Sequence, residues 1–211
     1  RSFRNSDPPQ IARLWNDAQL GQGAALSLSN DESFDFVNYA QSYFDPQGLI
    51  VAHSGTEVVG FIHAGFGCTT EEDQLNHARG VICAVIVHPQ FRRQGIGREL
   101  VRRAEIYLGE AGAQQVFAGP SPSVDPFFFG MYGGAHPIGF MESDAIAGPF
   151  FEQMGYSATQ KYSMLTRSME DRDSVNFRLN QIRRKWEMKL LDGPDPSTWW
   201  WMTRFGRMEA L

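Results

Sequence analysis

The sequence has few cysteines and no long apolar run. Its two cysteines, Cys68 and Cys83, do not form a C-x-x-C pair, which excludes a disulfide framework and argues against zinc or redox chemistry of that type. No apolar run approaches the ~18 residues that a membrane-spanning helix needs, and the first residues lack the apolar core of a signal peptide. We therefore expect a cytoplasmic protein in a reducing compartment, without a membrane partner.

Lysine is also scarce, and acidic residues outnumber basic ones by 24 to 19. The net charge is −5, and the lysines are limited to Lys161, Lys185 and Lys189. An acidic body repels nucleic acid and favours a cationic partner or substrate. We expect no nucleic-acid partner.

Apolar and aromatic residues, in contrast, are plentiful. The 211 residues are 42% hydrophobic and include 16 Phe and 5 Trp, enough to form the core of one large domain. We assign residues 1–170 to this domain and residues 171–211 to a tryptophan-rich extension, interpreted as a helix plus a β-hairpin. Such an extension would pack on the main domain, on a second subunit of a homodimer, or on a missing partner strand.

Hydrophobic periodicity predicts a mixed α/β fold. The pattern predicts helices near 11–18, 97–108 and 143–154, and a further helix that is capped by residues 29–31 and has its apolar face at 36–43. It predicts strands at 49–52, 58–62, 81–87, 115–118 and 162–166, and irregular segments at 67–78 and 119–143. The run at 81–87 is apolar throughout, which is typical of a central strand covered on both faces.

The most informative stretch follows that central strand. The strand leads into a turn containing Gly95 and Gly97 and then into a helix, whose free N–H groups point back at the turn. This arrangement binds anions, and the neighbouring arginines 92, 93 and 98 add positive charge. The pattern predicts a ligand with phosphates. It is neither a Walker A loop, which needs Gly-Lys-Ser/Thr, nor a dinucleotide fingerprint, which has other glycine spacing.

The motif Arg92-x-x-Gly95-x-Gly97, preceded by Val87-His88-Pro89, resembles the pyrophosphate signature of the GNAT superfamily of N-acetyltransferases. The resemblance extends from Phe3 to about Thr166 and implies the acyl-CoA N-acyltransferase fold, an α/β fold with a mixed sheet. It implies an acyl-coenzyme A donor, most simply acetyl-coenzyme A, a primary amine as acceptor, direct attack of the amine on the thioester, and no metal. The acceptor could be a small molecule, a polyamine-like cation, an antibiotic or a protein amine.

The same resemblance implies which residues hold the donor. The backbone of the turn would cradle the pyrophosphate, and the end of the central strand would pair with the pantetheine arm, leaving the thioester beside Phe117 and Ala118. The residues implied to contact the coenzyme are Val85, Ile86, Val87, Arg92, Arg93, Gln94, Gly95, Ile96, Gly97 and Arg98.

Two departures from the family pattern concern proton transfer. Many members carry a tyrosine acid where this chain has Phe151, and some carry a glutamate base on the central strand, where residues 81–87 hold no ionisable group except Cys83. Candidate substitutes lie in the two irregular segments: Glu71, Glu72, Asp73 and His77 in the first, and Asp125, Tyr132 and His136 in the second. We predict Tyr132 as the acid and Glu72 as a catalytic carboxylate. The alternative function is a catalytically inactive GNAT-fold domain that binds acyl-coenzyme A as a ligand or sensor, and Phe151 favours it.

Overall fold

The computed structural model describes residues 1–18, 20, 32–129, 131, 139–163, 181 and 198–205. Its helices are α1 (Pro8–Asp17), the short α2 (Glu32–Phe34), which continues as a π-helix over Asp35–Tyr39, α3 (Ile96–Glu110), α4 (Ala147–Gln153) and α5 (Trp199–Phe205), with a 3-10 turn at Pro89–Phe91. The strands are β1 (Leu49–Ser54), β2 (Glu57–Cys68), β3 (Leu75–Val87) and β4 (Gln115–Ala118).

The described strands form one mixed sheet in the order β1-β2-β3-β4. The first three pair antiparallel, and β4 runs parallel to β3 over a short stretch, from Arg79 opposite Gln115 to Ile82 opposite Ala118. The parallel pair requires a crossover, which α3 supplies. Because β4 stops early, the second half of β3 is left without a strand neighbour on that side among the described residues.

Each face of the sheet carries its own hydrophobic core. The first core lies under α1 and the π-helix and includes Trp15, Phe34 and Phe128. The second core lies under α3 and α4 and includes Leu100, Val101 and Phe151. The central strand therefore contributes to both cores, as its uninterrupted apolar run predicts.

One buried polar residue lies within the first core. His63 on β2 is 1% exposed, and its ring stacks on that of Phe127 with the centroids 3.9 Å apart. Neither ring nitrogen finds a hydrogen-bond partner among the described residues. Burial lowers the pKa of His63 to about 3, so the imidazole is neutral at physiological pH.

Several predicted boundaries were wrong. The strands β2 and β3 extend into the region predicted as irregular, which leaves only 69–74 as a loop. The second helix ends at Tyr39, as a π-helix, instead of running to residue 43. Residues 156–163 are not in a strand, while the rest of the predicted closing strand, 164–166, lies outside the described residues.

The predicted β-hairpin in the extension also lies largely outside the described residues. The part that the structure describes, Trp199–Phe205, is a helix. The hydroxyl of Thr198 accepts a hydrogen bond from the N–H of Trp201 at 3.3 Å and caps this helix, which the alternation of residue types did not indicate. Among the described residues, no helix combines the length and apolar character needed to cross a bilayer.

Candidate functional site

The site begins at the turn between β3 and α3. Gly95 has φ +82°, in the left-handed region that favours glycine, and it caps the N-terminus of α3. The first backbone bond of the helix runs from the N–H of Glu99 to the carbonyl of Gly95 at 3.0 Å. The N–H groups of Ile96, Gly97 and Arg98 therefore have no acceptor inside the helix and are available to an anion.

The three arginines around this turn have different roles. The Nε of Arg92 donates to the carbonyl of Val87 at 2.9 Å, and its guanidinium also donates to the carbonyl of Ala18 at the end of α1. Its side chain therefore holds the turn against two elements of the fold. Arg93 and Arg98 are exposed and pair with no described carboxylate, so their charge is available to a phosphate ligand.

The free edge of β3 continues from this turn. The N–H of His88 donates to the carbonyl of Val59 at 2.9 Å. Since backbone groups on an antiparallel strand point alternately to either side, those of Val85 and Val87 face away from β2. The carbonyl of Val87 already accepts a hydrogen bond from the side chain of Arg92. The backbone groups of Val85 thus lie on an edge that β4 does not reach. Among the described residues, the last bond on that side joins the N–H of Gly119 to the carbonyl of Ile82 at 3.0 Å.

A small open cleft of about 40 Å³ lies along this free edge. Its described lining consists of apolar side chains and backbone with one ionisable side chain, and comprises Leu20, Ala84, Val85, Ile86, Gly139, Phe140, Met141 and Asp144. One carboxylate oxygen of Asp144 accepts a hydrogen bond from the N–H of Ile146 at 3.0 Å, which fixes the carboxylate just before α4. No described basic side chain pairs with Asp144. The sequence pattern around Asp144 did not indicate a site residue.

The predicted coenzyme-binding residues are brought together at one end of the sheet. Val85, Ile86 and Val87 form the free edge, and residues 92–98 form the turn and the start of α3. A Cβ atom on Gly97 would lie 3.4 Å from the ring of Phe150 and 3.8 Å from the side chain of Val87, so the helix start, α4 and the strand end are neighbours.

Of the two predicted catalytic residues the structure describes Glu72, which does not lie at the cleft. Glu72 lies in the β2–β3 loop, at the opposite end of β3 from the cleft, and its carboxylate accepts a hydrogen bond from Thr198 at 2.8 Å. Its carbonyl accepts another from the N–H of Trp200 at 3.0 Å. Tyr132 and His136 lie outside the described residues.

Three other positions considered for proton transfer, Phe151, Asp125 and Cys83, are buried, whereas Glu71, Asp73 and His77 are exposed at the far end of β3 from the cleft. Phe151 is 6% exposed and stacks on Phe140 with the ring centroids 4.6 Å apart. Asp125 is fully buried and paired with Arg204. Burial raises the pKa of the Cys83 thiol, which leaves it a neutral core residue. Within the described ranges, no three His, Cys, Asp or Glu side chains are grouped as a metal would need.

Proteins with similar sequences are acetyltransferases. A sequence profile of the acetyltransferase (GNAT) family matches residues 11–128, more than half of the chain. A mycothiol acetyltransferase of Propionibacterium freudenreichii is 34% identical over 116 residues, which cover 54% of this chain and 35% of that protein. The chain thus spans about a third of the length of that relative.

Solved structures share the fold. A transcriptional regulator of Bacillus halodurans superposes with a TM-score of 0.54 at 22% identity, covering 79% of this chain and 97% of that one. An aminoglycoside 6′-N-acetyltransferase of Acinetobacter haemolyticus superposes with a TM-score of 0.51 at 14% identity, covering 81% of this chain and 98% of that one.

Proposed function

The chain belongs to the acetyltransferase (GNAT) family, and we propose that it transfers the acetyl group of acetyl-coenzyme A to a primary amine. The observation that carries this proposal is the continuity of the free edge of β3 with the free N–H groups of α3. A long ligand with phosphates at one end and amides along its arm is complementary to both. Coenzyme A thioesters have this chemistry.

In the proposed complex, the turn at 92–98 holds the pyrophosphate. The N–H groups of Ile96, Gly97 and Arg98 donate to its oxygens, with the helix dipole and the charges of Arg93 and Arg98 adding attraction. The amides of the pantetheine arm pair with the backbone of Val85. The arm thereby lies along the part of β3 that has no described strand beside it on that side. The thioester then lies in the cleft.

The reaction is direct transfer. The nitrogen of a neutral amine attacks the thioester carbonyl, the C–N bond forms, the C–S bond breaks, and coenzyme A leaves as the thiolate while the nitrogen loses a proton to solvent. Holding the two reactants together in one cleft supplies part of the rate acceleration. Asp144 carries the ionisable side chain in the described lining, and we assign it the attraction of the ammonium form of the acceptor.

Tyr132 and Glu72 stay as predictions for proton transfer. Tyr132→Phe tests the first, because it removes only the hydroxyl. We expect lower turnover with unchanged affinity for acetyl-coenzyme A if this tyrosine protonates the leaving thiolate. An unchanged rate removes Tyr132 from the mechanism. Glu72→Gln is the equivalent test for the carboxylate.

The function is tested by following the release of the coenzyme A thiol with a thiol reagent. A panel of primary amines, comprising a polyamine, an aminoglycoside and a lysine-containing peptide, is offered together with acetyl-coenzyme A. We expect turnover above the uncatalysed rate with at least one class of amine. Tight binding of acetyl-coenzyme A with no turnover across the panel would favour the alternative, a domain that binds the thioester as a ligand.

A further inference from the structure

Pro120 follows β4 directly, and Gly139 lies beside it at the cleft; we call residues 120–129 together with Gly139 the crossing segment. Its ends are in direct contact: the N–H of Gly139 donates to the carbonyl of Pro120 at 2.6 Å. Gly119, with φ +89°, packs so closely that a Cβ atom there would lie 2.9 Å from the Cα of Gly139. The position of Gly139 therefore depends on the position of Pro120.

The crossing segment is anchored in the core at Phe127 and Phe128. The ring of Phe127 stacks on His63, and that of Phe128 lies parallel to Trp15 with the centroids 5.5 Å apart. Phe128 has φ +64°, a conformation that a bulky side chain adopts only where its surroundings enforce it. Its N–H donates to the side-chain oxygen of Asn38 at 3.2 Å, which is one of those constraints.

The C-terminal helix α5 supplies a second constraint. Arg204 forms a forked pair with the carboxylate of Asp125, with nitrogen–oxygen distances of 3.0 and 3.3 Å, and also donates to the carbonyl of Asp125. Both side chains are fully buried. The guanidinium lies 4.2 Å from the ring centroid of Trp200, which in turn stacks on Tyr43 with the centroids 5.2 Å apart.

A short path joins this ion pair to the cleft. A tight turn separates Asp125 from Pro120, closed by two backbone bonds between Ser121 and Val124 at 2.7 and 3.4 Å. The carbonyl of Pro120 then holds Gly139, which lines the cleft. We infer that Arg204, acting through Asp125, is a positioning residue for the Gly139–Met141 wall of the cleft. The C-terminal helix thereby becomes part of the donor site without touching the donor.

This inference rests on the proposed function in naming acetyl-coenzyme A as the molecule that lies against the wall. The test compares two ligands by calorimetry in the full chain. Adenosine 3′-phosphate 5′-diphosphate carries the pyrophosphate but no pantetheine arm and so reports on the turn at 92–98, whereas acetyl-coenzyme A reports on the turn and the cleft together. In Arg204→Met we expect the Kd of acetyl-coenzyme A to rise on the order of tenfold, with the Kd of the nucleotide unchanged.

Two variants serve as controls. Asp7→Asn weakens another ion pair, outside the crossing segment, in which the partly exposed Arg1 bonds the buried carboxylate of Asp7 at 2.7 Å. It should lower the Tm without changing the ratio of the two Kd values. Arg204→Lys keeps the charge but not the fork, and should give a ratio between those of the wild type and Arg204→Met.

The outcomes are distinct. If Arg204→Met leaves the ratio of the two Kd values unchanged, including the case in which it weakens binding of both ligands equally, the inference is overturned. A wild-type protein that binds neither ligand contradicts the proposed function instead. If Arg204→Met does not fold, the paired change of Arg204→Met with Asp125→Leu removes both buried charges and is measured in the same way.

Discussion

The guanidinium of Arg92 joins the end of β3 to the end of α1, because it donates both to the carbonyl of Val87 and to that of Ala18. In the sequence, Arg92 is the first residue of the phosphate motif, and its charge suggests a role in ligand binding. The structure gives its side chain a scaffold role. The turn is thereby fixed to both the sheet and the helix that flank the cleft.

This contact predicts separate effects for adjacent arginines. Arg92→Gln should lower the free energy of unfolding by about 1.5–3 kcal/mol, since it removes charge-assisted bonds to two carbonyls. Arg93→Gln should change stability by less than about 0.5 kcal/mol, because Arg93 is exposed. It should instead weaken acetyl-coenzyme A binding at low salt. Urea titration measures the stability of both variants, and calorimetry at two salt concentrations measures their binding of acetyl-coenzyme A. Equal losses of stability in Arg92→Gln and Arg93→Gln would contradict the scaffold role of Arg92.

The phosphate turn predicts the effect of one added carboxylate. Gly95→Glu should abolish binding of acetyl-coenzyme A, because it strains a left-handed position and brings negative charge to the pyrophosphate. In the wild type, ligand at 100 times its Kd stabilises by about 2.7 kcal/mol, which raises the Tm by about 5–10 °C. That rise should disappear in the variant.

Gly112→Glu is the matched control. Gly112 also has a positive φ with open space around it, but it follows the opposite end of α3. The Gly112→Glu variant should lose some stability and keep the ligand-induced rise in Tm. Loss of the rise in Gly112→Glu, or its survival in Gly95→Glu, would place the phosphate site elsewhere.

The buried imidazole of His63 predicts a pH-dependent stability. The unfolded chain binds a proton below about pH 6.5, whereas the folded chain does so only near 3, so the unfolding free energy falls as the pH drops through this window. The slope is about 1.4 kcal/mol per pH unit. His63→Leu should remove this contribution, and should be more stable than the wild type at pH 5. Parallel curves for the two proteins between pH 7 and 4 would show that His63 is not responsible.

The cleft carboxylate predicts a change in acceptor preference. Asp144→Asn should lower kcat/KM for cationic amines about tenfold and leave the Kd of acetyl-coenzyme A unchanged, because it removes the negative charge and keeps the shape and the bond to Ile146. Glu142→Gln is the control, since Glu142 is exposed, pairs with Lys161 and lies outside the cleft. An equal effect of both changes would indicate a general field effect instead of a contact.

Local patterns predicted the parts of the fold that depend on neighbouring residues. The turn between β3 and α3 was predicted because a buried strand, two glycines and a helix start lie within a short stretch of chain. The helix at Trp199 was not predicted, because its Trp-Trp-Trp run has no helical periodicity. Its cap and its ion pair are set by packing. Asp144 was not selected because the cleft that gives it a role also needs Ala84 and Leu20, far away in the sequence.

The pairing of Asp125 with Arg204 also has a consequence for synthesis of the protein. The two residues are separated by 79 positions. A nascent chain that has already placed residues 120–129 on the sheet holds a carboxylate whose partner has not yet been made, and burying an unpaired charge is strongly unfavourable. We therefore expect the aromatic core on that face to close after the ribosome has added α5, and translation products interrupted before α5 to remain open there and accessible to chaperones and proteases.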